Sequence, residues 1–263
     1  MLRPASILFW LALSTAATPI GRITTSAPKK SVAVLYFDNY TGKSDYDPLG
    51  RGIASMMISD LSAVQEIQLV ERERMQDLIK EVDQQGTKYF DSTTAVKVGR
   101  MVGAQYIVVG ACAALNPQMR IDTRVVRVET GEIVKTAQVS GDEDKFFDLE
   151  QKLANKLIDG LGVALSPDGQ QRLANQQKAN RIDAVSTLLG FSRALALYDR
   201  GDFVGAGKQM VPVLQASPNS LLLRETQAEM KRRATASATD KAKEKLKSGI
   251  GGLIKRPPIS QQF

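Results

Sequence analysis

The sequence predicts an α/β (α+β) protein, in which helices cover a mixed sheet and a small all-α region follows. Three observations lead to this fold class. An apolar run at 32–35 suits a strand that is buried on both faces of a sheet. A short apolar stretch at 67–70 passes directly into a helical pattern with apolar residues at 75, 78, 79 and 82. Beyond residue 183 the apolar spacing is helical only.

The first half of the chain alternates strands with helices, and its second part changes to consecutive strands. Early strands that are separated by helices are expected to pair in parallel. Short turns between the later strands predict an antiparallel meander. We predict strands at 31–38, 67–70, 106–115, 119–128 and 132–140, with helices at 49–64, 71–82, 91–103 and 145–163.

Residues 1–17 have the composition of a secretory signal peptide. Arg3 supplies the positive charge, 7–13 the apolar core, and 14–17 the small residues for cleavage. We therefore expect the protein to be exported by a cleaved signal peptide. Because no cysteine lies near the expected cleavage site, we expect no lipid-anchored amino terminus.

The remaining chain is divided by composition. We predict a flexible lead-in at 18–30, the sheet domain at 31–164, a linker at 165–182, a helical region at 183–233 and a disordered basic tail at 234–263. Helices are expected at 183–200, 203–216 and 220–233.

The helical region resembles one tetratricopeptide repeat. Stacked repeats need at least ~3 copies to be stable alone, so this region is expected to pack on the first domain or to dimerise. Apolar surface around Leu195, Phe203 and Val211 is therefore predicted to contact a partner. The residues at the usual repeat positions are Ala194, Leu197, Tyr198, Gly201, Phe203, Ala206, Leu214 and Pro218.

The net charge of +7 is located in the carboxyl-terminal part of the chain. Residues 231–256 hold nine Lys and Arg against two acidic residues, which leaves the rest of the chain neutral. We therefore expect no nucleic-acid partner. The segment from Lys241 to Ile254 combines lysines with helically spaced apolar residues, which suits peripheral contact with an anionic membrane. A disordered, solubilising tail is the alternative.

Composition argues against catalysis. The chain has no histidine, and its one cysteine, Cys112, lies in an apolar run that indicates a buried side chain. A disulfide within the chain is therefore excluded. We expect a non-enzymatic protein without catalytic residues, cofactor or metal site.

Two glycine-containing motifs have simpler structural interpretations. The sequence Gly42-Lys43-Ser44 imitates a phosphate-binding loop, but Phe37 occupies the position of the loop's first glycine. The glycines of Gly50-Arg51-Gly52 are better explained by the start of a helix, because Ser55 stands at the third position of a dinucleotide fingerprint.

Acidic residues supply the other candidate motifs. No spacing brings Asp45, Asp47 and Glu71 together as a metal or acid–base cluster, and the two aspartates suit turns. Asp122 stands among three arginines in a predicted strand, which indicates a salt-bridged, solvated sheet face. These arginines are Arg120, Arg124 and Arg127.

Four stretches, in order, carry a family resemblance: VAVLYFDNYTG, the helix at 49–61, IQLVERERMQDLIKE and VGRMVGAQYIVVGA. Over about 31–163 they resemble the curli production assembly/transport (CsgG) family, and a related resemblance is to TolB-like domains. The resemblance implies a periplasmic α/β domain without catalysis, with peripheral attachment to the outer membrane as a further option. In the curli secretion protein this domain assembles into an outer-membrane ring. Such association between copies would suit the small residues Ala95, Gly99 and Gly103, although packing on the chain's own sheet is the simpler use.

Two hypotheses for function follow. The first is a role in envelope assembly or secretion through contacts with other envelope proteins or with itself. The family's secretion protein inserts long membrane hairpins, whereas the strands here are joined by short turns, so we expect no pore. The alternative is a TolB-like ligand-binding or sensor module, with its site at loop 39–48 and residues 50–52.

Overall fold

A computed structural model of the chain describes residues 28–70, 75, 78, 88–114, 118–142, 145–182 and 184–253, with side chains described to residue 246. Within these ranges lie five strands and seven α-helices. The strands are β1 (Lys30–Asn39), β2 (Ile67–Leu69), β3 (Tyr106–Ala114), β4 (Gln118–Arg127) and β5 (Ile133–Asp142). The helices are α1 (Leu49–Ser62), α2 (Ser92–Val102), α3 (Phe146–Gly160), α4 (Pro167–Ala179), α5 (Val185–Asp199), α6 (Phe203–Ala216) and α7 (Leu221–Leu253).

The five strands form one mixed sheet in the order β2-β1-β3-β4-β5. Strand β1 is parallel to both of its neighbours, and β3, β4 and β5 are antiparallel. Seven consecutive residues of β1 are buried, as expected for a strand covered on both faces. The predicted fold class, a mixed sheet covered by helices and followed by a helical region, is confirmed.

The two outer strands of the sheet differ in length. Strand β2 has three residues, whereas β5 has ten and lies at the opposite edge. The Thr123 hydroxyl donates to the Ala137 carbonyl, which therefore faces β4. The next carbonyl, that of Gln138, accepts a hydrogen bond of 2.8 Å from the Lys156 amine of α3.

Helix α1 connects the two parts of the molecule. It packs on β1 and α3, and also on α4 and α5. We name β1–β5 with α1–α3 the sheet unit, α4–α7 the helical unit, and the contact between them the junction. Apolar residues at helical spacing, Leu49, Ile53, Met57 and Leu61, are fully buried in α1.

The predicted linker at 165–182 is wrong, because α4 occupies most of it. The Ser166 hydroxyl accepts a hydrogen bond of 3.1 Å from the Gly169 amide, and Pro167 is the first helical residue. A serine cap followed by proline begins a helix as well as it marks a boundary. Leu173 is buried, which attaches α4 to the body of the molecule.

The tail prediction is corrected in the same way, since α7 continues to Leu253 through the segment expected to be disordered from 234. Alanine, lysine and glutamate favour helix there. Met230 is buried, but the described side chains after it are exposed or half-buried, so α7 extends beyond the body. None of the helices in the described ranges is both long and apolar enough to cross a membrane.

Some predicted elements fall outside the described residues. The signal peptide at 1–17 and most of the lead-in at 18–30 do so, as does most of the helix predicted at 71–82. Met75 and Leu78 are helical, and Met75 is buried in the core.

Candidate functional site

The carboxyl end of β1 carries a buried aspartate that holds a neighbouring turn. The Asp38 carboxylate accepts hydrogen bonds from the backbone amides of Tyr89 and Phe90 at 3.2 and 2.9 Å. The thiol of Cys112, which is buried as predicted, lies 3.5 Å from the Asp38 carbonyl. Burial raises the pKa of this thiol to about 12, so Cys112 is a weak nucleophile.

The loop after β1 is folded by bonds to its own atoms. Asn39 donates from its side-chain amide to the Lys43 carbonyl and to Asp47, at 2.8 and 2.6 Å. The Thr41 amide donates back to the Asn39 oxygen, and Gly42 has a positive φ of 74° that suits the turn. These contacts agree with the turn interpretation of Gly42-Lys43-Ser44 and Asp47.

The acidic residues of this loop do not assemble into a metal centre. Asp45 is exposed, and Glu71 lies outside the described residues. In the part of the chain that the structure describes, no group of three or more Cys, Asp and Glu residues is placed to hold a metal ion.

The glycines at the start of α1 serve close packing. A Cβ atom on Gly50 would stand 1.7 Å from the Phe37 carbonyl oxygen, and one on Gly52 would stand 2.2 Å from the Ser192 hydroxyl. The helix start therefore touches β1 on one side and α5 on the other. Protein atoms occupy the place where the sensor hypothesis put part of a ligand site.

A buried ion pair crosses the junction beside these glycines. Asp199, at the end of α5, accepts a hydrogen bond of 2.7 Å from the Tyr36 hydroxyl. Arg51 of α1 approaches the same carboxylate oxygen at 3.2 Å, and its guanidinium lies 4.9 Å from the centre of the Tyr36 ring. Through these two contacts, Asp199 of the helical unit binds both Tyr36 of β1 and Arg51 of α1.

A second polar cluster in the junction contains two carboxyl groups. Asp60 of α1 and Glu150 of α3 are each 1% exposed. Burial, and then the charge of Asp60, raises the pKa of Glu150 well above its usual range. Burial also raises the pKa of Asp60 to about 6, although Gln177 and Asn180 beside it oppose the rise.

The sequence held a recognisable sign of this carboxyl pair. Asp60 lies at helical spacing among apolar residues of α1, and Glu150 does so between Phe146 and Leu153 of α3. An acidic residue on the apolar face of a helix is either buried together with that face or interrupts the apolar spacing. Neither residue belongs to a catalytic or metal-binding spacing, so neither was among the predicted site residues.

The three predicted interaction residues have different surroundings. Leu195 is 1% exposed, so its assignment to an apolar surface is wrong: α5 uses this face within the body. Phe203 is half-buried and meets the Tyr198 ring edge-on, with 5.2 Å between centroids. Val211 is 48% exposed, and Val204, which the sequence analysis did not select, is 60% exposed.

Other surface predictions concern the sheet. Ala95 and Gly99 of α2 are buried on the chain's own sheet, where a Cβ on Gly99 would stand 2.5 Å from a Val128 methyl group. Their packing on this sheet is therefore confirmed. Arg120 and Asp122 form the predicted salt bridge at 2.8 Å on a solvated face.

Comparison with protein families supports the resemblance inferred from the sequence. Residues 16–120 match the family described as "Curli production assembly/transport component CsgG". Within the described structure, this match extends from β1 into β4. The resemblance to that family is thus confirmed for this part of the chain.

A longer curated relative also matches. It is described as "Putative adenylate cyclase 3" from Rhizobium meliloti (strain 1021), with 22% identity over 221 residues and 82% of this chain covered. The chain spans 36% of the length of that relative.

The chain is also similar to several solved structures at low sequence identity. The LpoB C-terminal domain from Salmonella enterica has 17% identity and a TM-score of 0.36, covering 45% of this chain and 87% of its own. The PelC dodecamer from Paraburkholderia phytofirmans has 16% identity and a TM-score of 0.34, covering 52% and 90%. TolB from Acinetobacter baumannii has 7% identity and a TM-score of 0.35, covering 51% and 29%.

Proposed function

We propose that this chain, whose residues 16–120 match the curli assembly/transport component, is a non-catalytic protein of the periplasm that acts in envelope assembly or secretion. It would act through protein–protein contacts and would form no pore itself. The family match is the observation that carries the proposal. The structure adds support, because Asp38, Asn39 and Asp47 at the carboxyl edge of β1 are engaged in holding turns.

The relative named as an adenylate cyclase bears on catalysis. Because this chain spans 36% of that protein, its named activity can reside in the remaining part. We propose that the shared portion is an accessory module there. The lack of histidine and the inert, buried Cys112 in this chain support that view.

The exposed face of α6 is the proposed contact surface for a protein partner, either an envelope protein or a second copy. Val204 and Val211 lie two turns apart on this helix, and both are largely exposed. The half-buried Phe203 adjoins them. Burial of these side chains against a partner would remove apolar surface from contact with water, and this favours association.

Introducing charge on this face tests the proposal. The double substitution Val204→Glu and Val211→Glu is expected to lower capture of envelope partners, or self-association, by about tenfold or more, since ~1.4 kcal/mol corresponds to tenfold in affinity. Co-purification from envelope fractions and light scattering would measure it. Met101→Glu is the control, because Met101 is 54% exposed on α2. Equal partner recovery with the double variant and the wild type would contradict the proposed surface.

We also propose that the extended part of α7 contacts an anionic membrane. Lys241, Lys243 and Lys245 are exposed, and Leu246 near them is 65% exposed. Basic side chains attract anionic lipid headgroups, while apolar ones insert at the boundary of the acyl chains.

Charge reversal of these three lysines to glutamate is expected to abolish most binding to vesicles that contain phosphatidylglycerol. Each lysine near such a surface contributes about 1 kcal/mol, so the affinity should fall by roughly a hundredfold. Co-sedimentation at low and high salt would measure the effect, with Lys178→Glu on α4 as the control. Equal binding to vesicles of phosphatidylcholine alone would argue against an electrostatic contact.

A further inference from the structure

Within the described ranges, the carboxyl pair in the junction has no cationic partner. Neither Asp60 nor Glu150 forms an ion pair with a lysine or arginine there, and the side chains that act on the two groups are Gln177, Asn180 and each other. One carboxylate oxygen of each has no hydrogen-bond partner, and the same is true of the Gln177 side-chain nitrogen and the Asn180 side-chain oxygen. These four atoms are buried together where α1, α3 and the end of α4 meet.

The side chains that act on the pair are two amides and the two carboxyl groups themselves. Gln177 and Asn180 face Asp60 from α4 and its end, and Glu150 faces it from α3. Glu150 in turn has Asp60 as the titratable group that acts on it. Nearby Arg181 lies over the Phe147 ring at 4.6 Å. Two adjacent carboxylates without a cation cannot both remain ionised in a buried site at reasonable free energy.

We propose that Asp60 and Glu150 together bind a proton that stabilises the packing of α4 on the sheet unit. Loss of this proton at rising pH weakens that packing and loosens α4. The two carboxyls would act as one titrating unit, since each is the charged neighbour of the other. The junction then responds to the pH of the compartment in which the protein resides.

Helix α4 is the element expected to loosen, because it is the least buried of the three that meet here. It buries Gly169, Leu173 and Gln177, whereas α1 buries nine residues and α3 eight. Its end is also held by polar contacts: the side chains of Gln176 and Asn180 donate to the Ser59 hydroxyl at 3.2 and 2.8 Å. Local opening is drawn from segments with few buried apolar contacts.

A surface groove approaches the pair. The groove lies between α3 and α4 and is lined by Asn155, Asp159 and Gln177, among others. Gln177 also faces Asp60, so this buried side chain lies between the groove and the carboxyl pair. Proton exchange with solvent would therefore pass Gln177 when α4 loosens.

The direction of the pH effect follows from the raised pKa values. In the unfolded chain both groups lose their protons near pH 4. In the folded protein, burial raises the pKa of Asp60 to about 6 and that of Glu150 well above its usual range. The stabilising contribution of the bound protons is complete below pH 4 and is lost as the pH rises through the folded values.

Hydrogen exchange at pH 5 and pH 8, expressed as protection factors, tests the proposal on the full chain. We expect protection of amides at 170–180 to fall at least tenfold at pH 8 in the wild type, while β3 amides stay protected. In the Asp60→Asn, Glu150→Gln double variant, protection at 170–180 should be the same at both pH values. Asp148→Asn, an exposed change on α3, should behave as the wild type.

Two results would overturn the inference. One is an unchanged pH response in the double variant, or in Glu150→Gln alone if the double variant does not fold. The other is full restoration of protection at pH 8 by added calcium or sodium ions, which would identify a cation rather than a proton as the bound species.

Discussion

Replacing Gly50 with alanine is expected to destabilise the protein by about 3 kcal/mol or more, as forced overpacking does. The added Cβ atom would stand 1.7 Å from the Phe37 carbonyl oxygen, with the carbonyl carbon and amide nitrogen of Phe37 within 2.8 Å. All three atoms belong to the backbone of β1, which is paired at Phe37 with Gly110 of β3. Because this pairing and the buried position of β1 hold the strand in the sheet, α1 must shift away from it. Urea unfolding of the purified variant measures the loss.

Gly207→Ala provides the matched control for that substitution. Gly207 lies within α6, and a Cβ atom there would meet no atom within 4 Å. Alanine inside a helix is more stable than glycine by about 0.5–1 kcal/mol, so this variant should be slightly stabilised. Similar unfolding free energies for the two variants would show that α1 does not pack on β1 as closely as described.

Replacing Asp199 with alanine is expected to cost about 3 kcal/mol of unfolding free energy. The change removes the acceptor of the Tyr36 hydroxyl and leaves the mostly buried Arg51 guanidinium without this carboxylate. Arg51 retains some exposure, with 20% of its side chain accessible, which places the expected value at the lower end for a broken buried pair. Denaturant unfolding monitored by circular dichroism would report the loss.

Asp122→Ala separates this effect from that of an ordinary salt bridge. The Arg120–Asp122 pair has a shorter separation, 2.8 Å, but the side chains are 41% and 25% exposed. Exposed pairs contribute about 0–1 kcal/mol, so Asp122→Ala should lie in that range. An Asp199→Ala variant as stable as Asp122→Ala would mean that the Asp199 contacts do not hold the helical unit in place.

The sheet could be predicted from the sequence because its strands have apolar residues at strand spacing and are bounded by turns. The run at 32–35 specified a strand buried on both faces, and the brief connections after residue 106 specified the antiparallel part. The buried state of Cys112 and the Arg120–Asp122 pair followed from their immediate neighbours. Such features depend on local spacing, which a single sequence displays directly.

The junction could not be predicted in the same way, because it depends on which faces of distant helices meet. The spacing of a single repeat predicted an exposed Leu195. This residue is buried in the structure, where α1 and α5 pack together at the boundary between the units. Asp60 and Glu150 are separated by ninety positions in the chain and meet only after folding. The segments of α4 and of the extended part of α7 were not predicted to be helices, because their residues are mostly polar. These residues nonetheless favour helix.

The amine of Lys156 affects whether another chain can pair with the edge of the sheet at β5. An open edge strand normally offers free carbonyls and amides to any extended segment, and this is a route to fibrous aggregation. On β5 the Gln138 carbonyl is already engaged by Lys156, which also places a positive charge at that edge. An incoming strand would have to displace and desolvate this amine. We therefore expect copies of the protein that associate at this side to do so through helix faces rather than by extending the sheet.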